Sequence, residues 1–219
     1  TLPTSEVLIG VDVSSKLVAY ARGQAAKEQV DNRVEFYVGD ALRMLEFPDA
    51  FFDLVNQRFG QSYVRTWEWP KLVQEYRRVS QPEGVIRITE GEWIAQNTSP
   101  ALTRLFALAL TAFSRAGHSF TPESDGVTKH LVPLLDRHSI RQIQQRSLVL
   151  DYCAGTLEGQ AFVENLRLAF RTIAPFLHKW TQVPDDYEDL YQQALIEMQQ
   201  PDFAASSRLL TVWGTMGPF

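Results

Sequence analysis

Val7-Leu8-Ile9-Gly10-Val11-Asp12-Val13 is a short continuous apolar run that ends in an acid. A run of this length with no alternation suits a strand buried on both faces, as in a parallel sheet. Ser14 and Ser15 stand where a cap is needed, and Lys16 to about Gln29 reads as a helix. Its apolar positions are Leu17, Tyr20 and Ala21, with Gln24 in the same series. Val34-Glu35-Phe36-Tyr37-Val38 is a second strand, closed by Gly39-Asp40. After the turn signal Pro48-Asp49, Phe52 to Asn56 is a third. Pro70 suits a first helical position, and Leu72, Val73, Tyr76 and Val79 form the stripe of the helix that follows. Pro82-Glu83-Gly84 turns the chain into a fourth strand, Gly84 to Thr89. The order β, α, β, β, α, β argues for an α/β fold with a mostly parallel sheet and helices on both faces.

The second half is more helical. Ser99-Pro100 opens a helix to about Arg115, and Val127 to about Ser139 reads as another. Ser147 to Tyr152 is a fifth strand. Two long helical patterns follow, about Gln160 to Trp180 and Asp186 to Gln199, before a last strand, Leu209 to Trp213. One domain over residues 1–219 is the simplest organisation. Residues 1–98 form its sheet-rich part, and the helical elements lie in 99–146 and 157–205.

The 219 residues and 24.9 kDa suffice for one sizeable core. Apolar residues make up 45% and charged residues 21%, which excludes a disordered chain. The net charge of −5 argues against non-specific nucleic-acid binding. Cys153 is the only cysteine, so no intrachain disulfide can form, and a reducing, cytoplasmic setting is expected. Thr1 to Glu6 has no signal-peptide pattern. Ala101 to Phe113, the most apolar helical stretch, is too short for a bilayer and contains Arg104. No membrane partner is expected. No residue cluster has zinc-ligand spacing, no nucleophile elbow or Walker loop stands out, and no metal is expected.

Ligands of open α/β sheets bind beyond the carboxyl ends of the strands. Asp12, Asp40, the trio Asn56, Gln57 and Arg58, and the pair Glu90 and Glu92 stand there. An acid at one strand end can accept from both cis hydroxyls of a ribose. A second acid one strand over can accept from an exocyclic amine. Two such acids suit an adenosine moiety, although either alone is as easily a helix or turn cap.

Four stretches, in order, resemble the class I S-adenosylmethionine-dependent methyltransferases. They are Ile9-Gly10-Val11-Asp12-Val13-Ser14, Val38-Gly39-Asp40-Ala41, Phe47 to Val55, and Arg78 to Gly84. The resemblance covers about 85 residues, and each stretch alone is a weak motif. It implies that Asp12 binds the cofactor ribose, and that Asp40 and the Ala41 amide frame the adenine. Val13 and Leu42 sandwich the ring, and Asn56, Gln57 and Arg58 lie near the methionine end. Leu209 to Met216 resembles the last, antiparallel strand of such enzymes. The long helical segments resemble the covers of small-molecule methyltransferases.

The resemblance departs from its pattern at one place. These enzymes open with a strand and a glycine-rich turn of the type Gly-x-Gly-x-Gly, and the chain here starts at the second strand. In the family's strand order the first strand lies between those ending in Asp12 and Asn56. A gap is therefore expected there, with unpaired backbone groups. The natural protein is expected to carry roughly 40–70 upstream residues, the length of one βα unit plus a helix, or to receive that strand from another chain. Asp151 to Thr156 has a superficial likeness to the glycine turn, but a permuted order fits poorly, and this stretch reads as a strand and its loop.

A catalytic base is optional when the cofactor brings the reactivity. His118 and Glu90 are the candidates for one. Tyr63 and Trp93 are candidates for lining the acceptor pocket, although aromatic residues more often fill a core. The expected function is methyl transfer from S-adenosylmethionine to a small or medium organic acceptor, with S-adenosylhomocysteine as product. A homodimer is left open. The rival is a non-catalytic member of the same fold that serves as a binding or dimerisation module. A nicotinamide-dependent reductase fits less well, because of the Asp-Ala pair and the antiparallel last strand.

Overall fold

The computed structural model describes residues 7–92, 96–121 and 126–217. Strand β1 (Leu8–Asp12) pairs in parallel with β2 (Val34–Val38), Leu8 opposite Val34 and Asp12 opposite Val38. A parallel pair needs a crossover, and helix α1 (Ser15–Lys27) supplies it. Ser14 caps this helix, its Oγ accepting from the Leu17 amide at 3.3 Å. At Gly10 a Cβ would lie 2.7 Å from the Phe36 ring, so only glycine lets that ring lie over β1. The inward face of α1 differs from the expected stripe. Val18 and Ala25 are buried, whereas Leu17 and Tyr20 are 54% and 65% exposed. Both flanks of α1 carry apolar residues, so spacing alone did not select the face.

The main sheet starts with β3 (Phe52–Arg58) and β4 (Ser80–Gly91), again parallel. Helix α2 (Trp69–Val79) connects them. Strand β5 (Gln96–Asn97) is followed by α3 (Pro100–Arg115), whose N-cap Ser99 accepts from the Leu102 amide at 3.0 Å. Helix α4 (Leu131–Arg137), β6 (Ile140–Cys153), α5 (Leu157–Trp180), α6 (Tyr187–Glu197) and β7 (Ala204–Met216) complete the order. The sheet runs β3-β4-β7-β5, with β6 also paired to β7. Strands β4, β5 and β6 are each antiparallel to β7, so β7 alone runs against the others, as expected. The Asp151–Thr156 stretch is the end of β6 and the turn into α5, with Gly155 at φ +79° and Thr156 as the cap.

Helices cover both faces of this sheet. On one face Ile86, Ile88, Val212 and Met216 pack with Trp69, Leu72, Val73 and Tyr76 of α2 and with Leu131 and Leu135 of α4. On the other, Ala205 joins Leu102 and Leu105 of α3, Leu166 and Phe170 of α5, and Leu190 of α6. The stacking of Tyr152 on Phe162, centroids 4.3 Å apart, ties β6 to α5.

Among the described residues, β1 and β2 form a sheet of their own, unjoined to β3. The expected interruption is therefore present. The double-sided burial expected of β1 is not, since Val7 and Leu8 are 49% and 39% exposed. With one strand partner and one covering helix, β1 lacks the neighbours that its apolar run anticipates. A cavity of about 960 Å³ occupies the interruption, with walls that include Ile9, Val11, Tyr37, Asp40 and Phe52. The two parts meet elsewhere. Phe47 packs its ring against Tyr37 and Phe52, at 5.9 and 5.0 Å, and Ala41 and Leu42 lean on the α2–α4 core.

Arg78 secures this junction. Its guanidinium donates to the Leu45 and Phe47 carbonyls at 2.9 Å and to Asp49 at 2.7 Å. It also donates to both oxygens of Glu75, at 2.6 and 3.0 Å. Glu75 in turn accepts from the Leu45 amide at 2.6 Å. Arg78→Met is expected to lower unfolding free energy by about 2–3 kcal/mol, the scale of charge-assisted bonds in a partly buried site. The Arg78 hydrogen bond holds the Glu75 carboxyl below its ordinary value. That stabilisation is present above the unfolded carboxylate pKa and is lost as pH falls through the lower folded value. The difference between the two proteins in urea unfolding should therefore narrow in acid, leaving the part carried by the Leu45 and Phe47 carbonyls.

Candidate functional site

Asp12 and Asp40 lie at the carboxyl ends of paired, adjacent strands. Each is placed by its own turn. The Asp12 Oδ1 accepts from the Ser14 amide at 2.7 Å. The Asp40 Oδ1 accepts from the Leu42 amide at 2.9 Å, and its Oδ2 lies 3.4 Å from the Arg43 Nε. Both carboxylates stand at the surface with acceptor capacity beyond these turns. Val13, beside Asp12, is 71% exposed.

At the end of β3, Asn56 and Arg58 are exposed and Gln57 is buried between them. Arg58 lies over the Phe59 ring, 5.4 Å from its centroid. Phe59 adopts a left-handed conformation, φ 57°, and leads into a 3-10 turn, Gly60–Ser62. Glu90, at the end of β4, is fully buried beneath this turn. It accepts from the Gln57 Nε2 at 2.8 Å, the Gly60 amide at 2.7 Å and the Gln61 amide at 3.1 Å. Burial pushes the Glu90 carboxyl up, against the lowering effect of those three donors. Among the described residues, the Oε1 atoms of Gln57 and Gln61 are buried without a partner. They are two acceptors open to a donor.

Tyr63 follows the turn and joins the two sheets electrostatically. Its hydroxyl is within reach of the Gln57 carboxamide and feels both Glu90 and Asp12. Burial, then those two charges, raise its pKa, so it remains a neutral donor near pH 7. Tyr76 of α2 is likewise pushed up by burial.

His118 stands in a different setting. It is 8% exposed, with Nδ1 3.3 Å from the Val64 carbonyl and its ring edge-on to Phe113 at 5.8 Å. Burial lowers its pKa and keeps it neutral. It fastens the segment after β3 to the end of α3. Trp93 lies outside the described residues. Among the described residues no group of three or more His, Cys, Asp or Glu could hold a metal ion. Among these residues no helix is long and apolar enough to cross a membrane.

The structure brings Asp12, Gln57, Tyr63 and Glu90 into one electrostatic neighbourhood. Asp40 lies one strand out, beside the cavity. Sequence reading missed Gly60 and Gln61. The signal was Gly60, two residues after the strand end, where a Cβ would lie 2.3 Å from the Gln57 Nε2.

Residues 2–84 match the family model described as a methyltransferase domain. No curated protein matches the chain. Among solved structures, the YcgJ protein from Bacillus subtilis is similar over 98% of this chain and 84% of its own, with 16% identity and a TM-score of 0.60. A protein from Bacillus halodurans C-125 described as a methyltransferase is similar over 96% and 83%, with 13% identity and a TM-score of 0.56. The [4+2]-cyclase SpnF is similar over 96% and 68%, with 19% identity and a TM-score of 0.51. Identities this low speak for the fold. Residues 2–84 are thus similar to a methyltransferase domain, and the chain as a whole shares the α/β fold of these solved structures.

Proposed function

We propose that the protein transfers a methyl group from S-adenosylmethionine to a small or medium organic acceptor. The observation that carries this reading is the pair of carboxylates at the adjacent ends of β1 and β2. In it, Asp12 accepts from the ribose hydroxyls. Asp40 accepts from the adenine amine, and the Ala41 amide donates to the ring. Val13 and Leu42 flank the adenine. Asn56, Gln57 and Arg58 face the methionine end, where the partnerless Gln57 Oε1 is an acceptor for its ammonium group. This donor and acceptor set fits the cofactor. When bound, the cofactor supplies an electrophilic methyl on a sulfonium. The chain's own residues hold it in line with the acceptor and exclude water. Residues 1–98 bind the cofactor, and the helical elements in 99–146 and 157–205 cover the acceptor, with Tyr63 on its wall.

Methyl transfer is supported by the domain match and by this pair of acids rather than by fold alone, since one similar structure is that of a cyclase. The interruption between β1 and β3 favours a second reading, a non-catalytic module that binds the same ligand. Release of S-adenosylhomocysteine in the presence of a panel of oxygen, nitrogen, sulfur and carbon nucleophiles separates the two. Turnover with one acceptor class above the rate with water is expected. Binding of the cofactor without turnover across the panel would favour the module.

A further inference from the structure

Glu90 is a buried anion whose partners among the described residues are three N–H groups and no cation. A buried carboxylate is costly unless its lone pairs are filled. Here they are filled by the turn that follows β3. An apolar side chain at this position would avoid the burial cost but would strand the Gly60 and Gln61 amides. The turn needs such an anchor. Phe59 is in the left-handed region, which non-glycine residues adopt at a cost. Ligand-side residues border it: Gln57 and Arg58 before, Tyr63 after.

We propose that Glu90 is a positioning residue, which locks the Phe59–Tyr63 turn and so aims Gln57, Arg58 and Tyr63 at the bound ligand. The effect on ligand binding rests on the cofactor reading above; the effect on the turn does not. Protonation turns one Glu90 oxygen from acceptor into donor, facing an N–H, and releases the turn. Affinity for the ligand should then fall as pH falls through the Glu90 pKa, which burial places above the ordinary carboxylate value. The fold should not weaken for this reason. An acid with a raised folded pKa favours the folded state as pH falls. The titratable groups that feel Glu90 are Tyr63 of the turn and Tyr76 of α2, both raised; His118, lowered by burial, reaches the turn at the Gln61 backbone. Asp12 also acts on Tyr63 through its charge.

The test compares the full chain with E90Q and E90D. The first readout is titration with S-adenosylhomocysteine between about pH 5 and pH 8, which spans the range above an ordinary carboxylate pKa. The second is amide hydrogen exchange at Gly60 and Gln61. At the upper pH, E90Q should bind about tenfold more weakly, the loss of roughly one charge-assisted bond. Its affinity should lack the part of the acid-side decline that Glu90 causes. Gly60 and Gln61 should exchange about tenfold faster in E90Q, with α5 unchanged, and E90D should fall between the two. Unchanged exchange at Gly60 and Gln61 in E90Q would overturn the proposal. So would faster exchange with unchanged affinity and an unchanged pH profile. If the wild-type chain does not bind, the cofactor reading fails, and the exchange data alone decide whether Glu90 holds the turn.

Discussion

Asp12→Ala is expected to weaken binding of S-adenosylhomocysteine by about two orders of magnitude, the combined worth of two hydroxyl donors on a carboxylate. Asp12 is exposed at the end of β1, and the Ser14 amide occupies only one of its acceptor sites. The remaining lone pairs suit a diol. Asp12→Asn retains an acceptor for Ser14 but loses the charge, so it should bind at an intermediate level. Loss of the Asp12–Ser14 turn should cost only about 0.5–1 kcal/mol of stability, the scale of a local side-chain cap. Asp40→Ala should have the smaller effect on affinity, since Arg43 already draws on that carboxylate. Calorimetric titration, with thermal unfolding as the control, checks all three variants.

Trp69→Ala should be the most damaging core substitution, at about 3–5 kcal/mol, the usual cost of emptying a large aromatic site. Trp69 is fully buried in the α2–α4 core. It also walls the turn after β3, since a Cβ on Gly60 would sit 3.1 Å from the indole Cη2. A loss of this size is a large part of the roughly 5–15 kcal/mol that holds a typical domain. Trp69→Phe should be milder, because among the described residues the buried indole Nε1 has no partner and its removal forfeits no hydrogen bond there. Urea unfolding followed by far-UV circular dichroism measures both.

Where local chemistry decides, the elements were legible. Helices α1, α2 and α3 start within one or two residues of their Ser and Pro signals, and β2 has the expected bounds. Where pairing decides, they were not. Strand β6 begins at Ile140, seven residues before the expected Ser147, through the polar stretch Arg141–Arg146. That stretch is mostly exposed and is held by backbone bonds to β7 rather than by an apolar face. Strand β7 likewise starts at Ala204, because Ala204–Arg208 pairs with β6 although its side chains carry no strand pattern. The two-residue β5 is too short to leave a periodic trace. The Val7–Val13 run identified a strand but not its surroundings. An apolar run describes the environment a strand is suited to, and only the three-dimensional pairing reveals whether that environment is filled.

The acids of the candidate site were legible for the same local reason: Asp12 and Asp40 each end an apolar strand and open a turn. Glu90 was visible as an acid in the right region. Its burial under Gly60 and Gln61 depends on contacts between residues about thirty apart in the chain, which spacing does not encode.

The most direct measurement is calorimetric titration of the folded 219-residue chain with S-adenosylhomocysteine. One-to-one binding at micromolar affinity is expected, with the heat strongly reduced in Asp12→Ala. A chain that is folded by circular dichroism and gives no binding isotherm would contradict the assignment of Asp12 and Asp40 to an adenosine site.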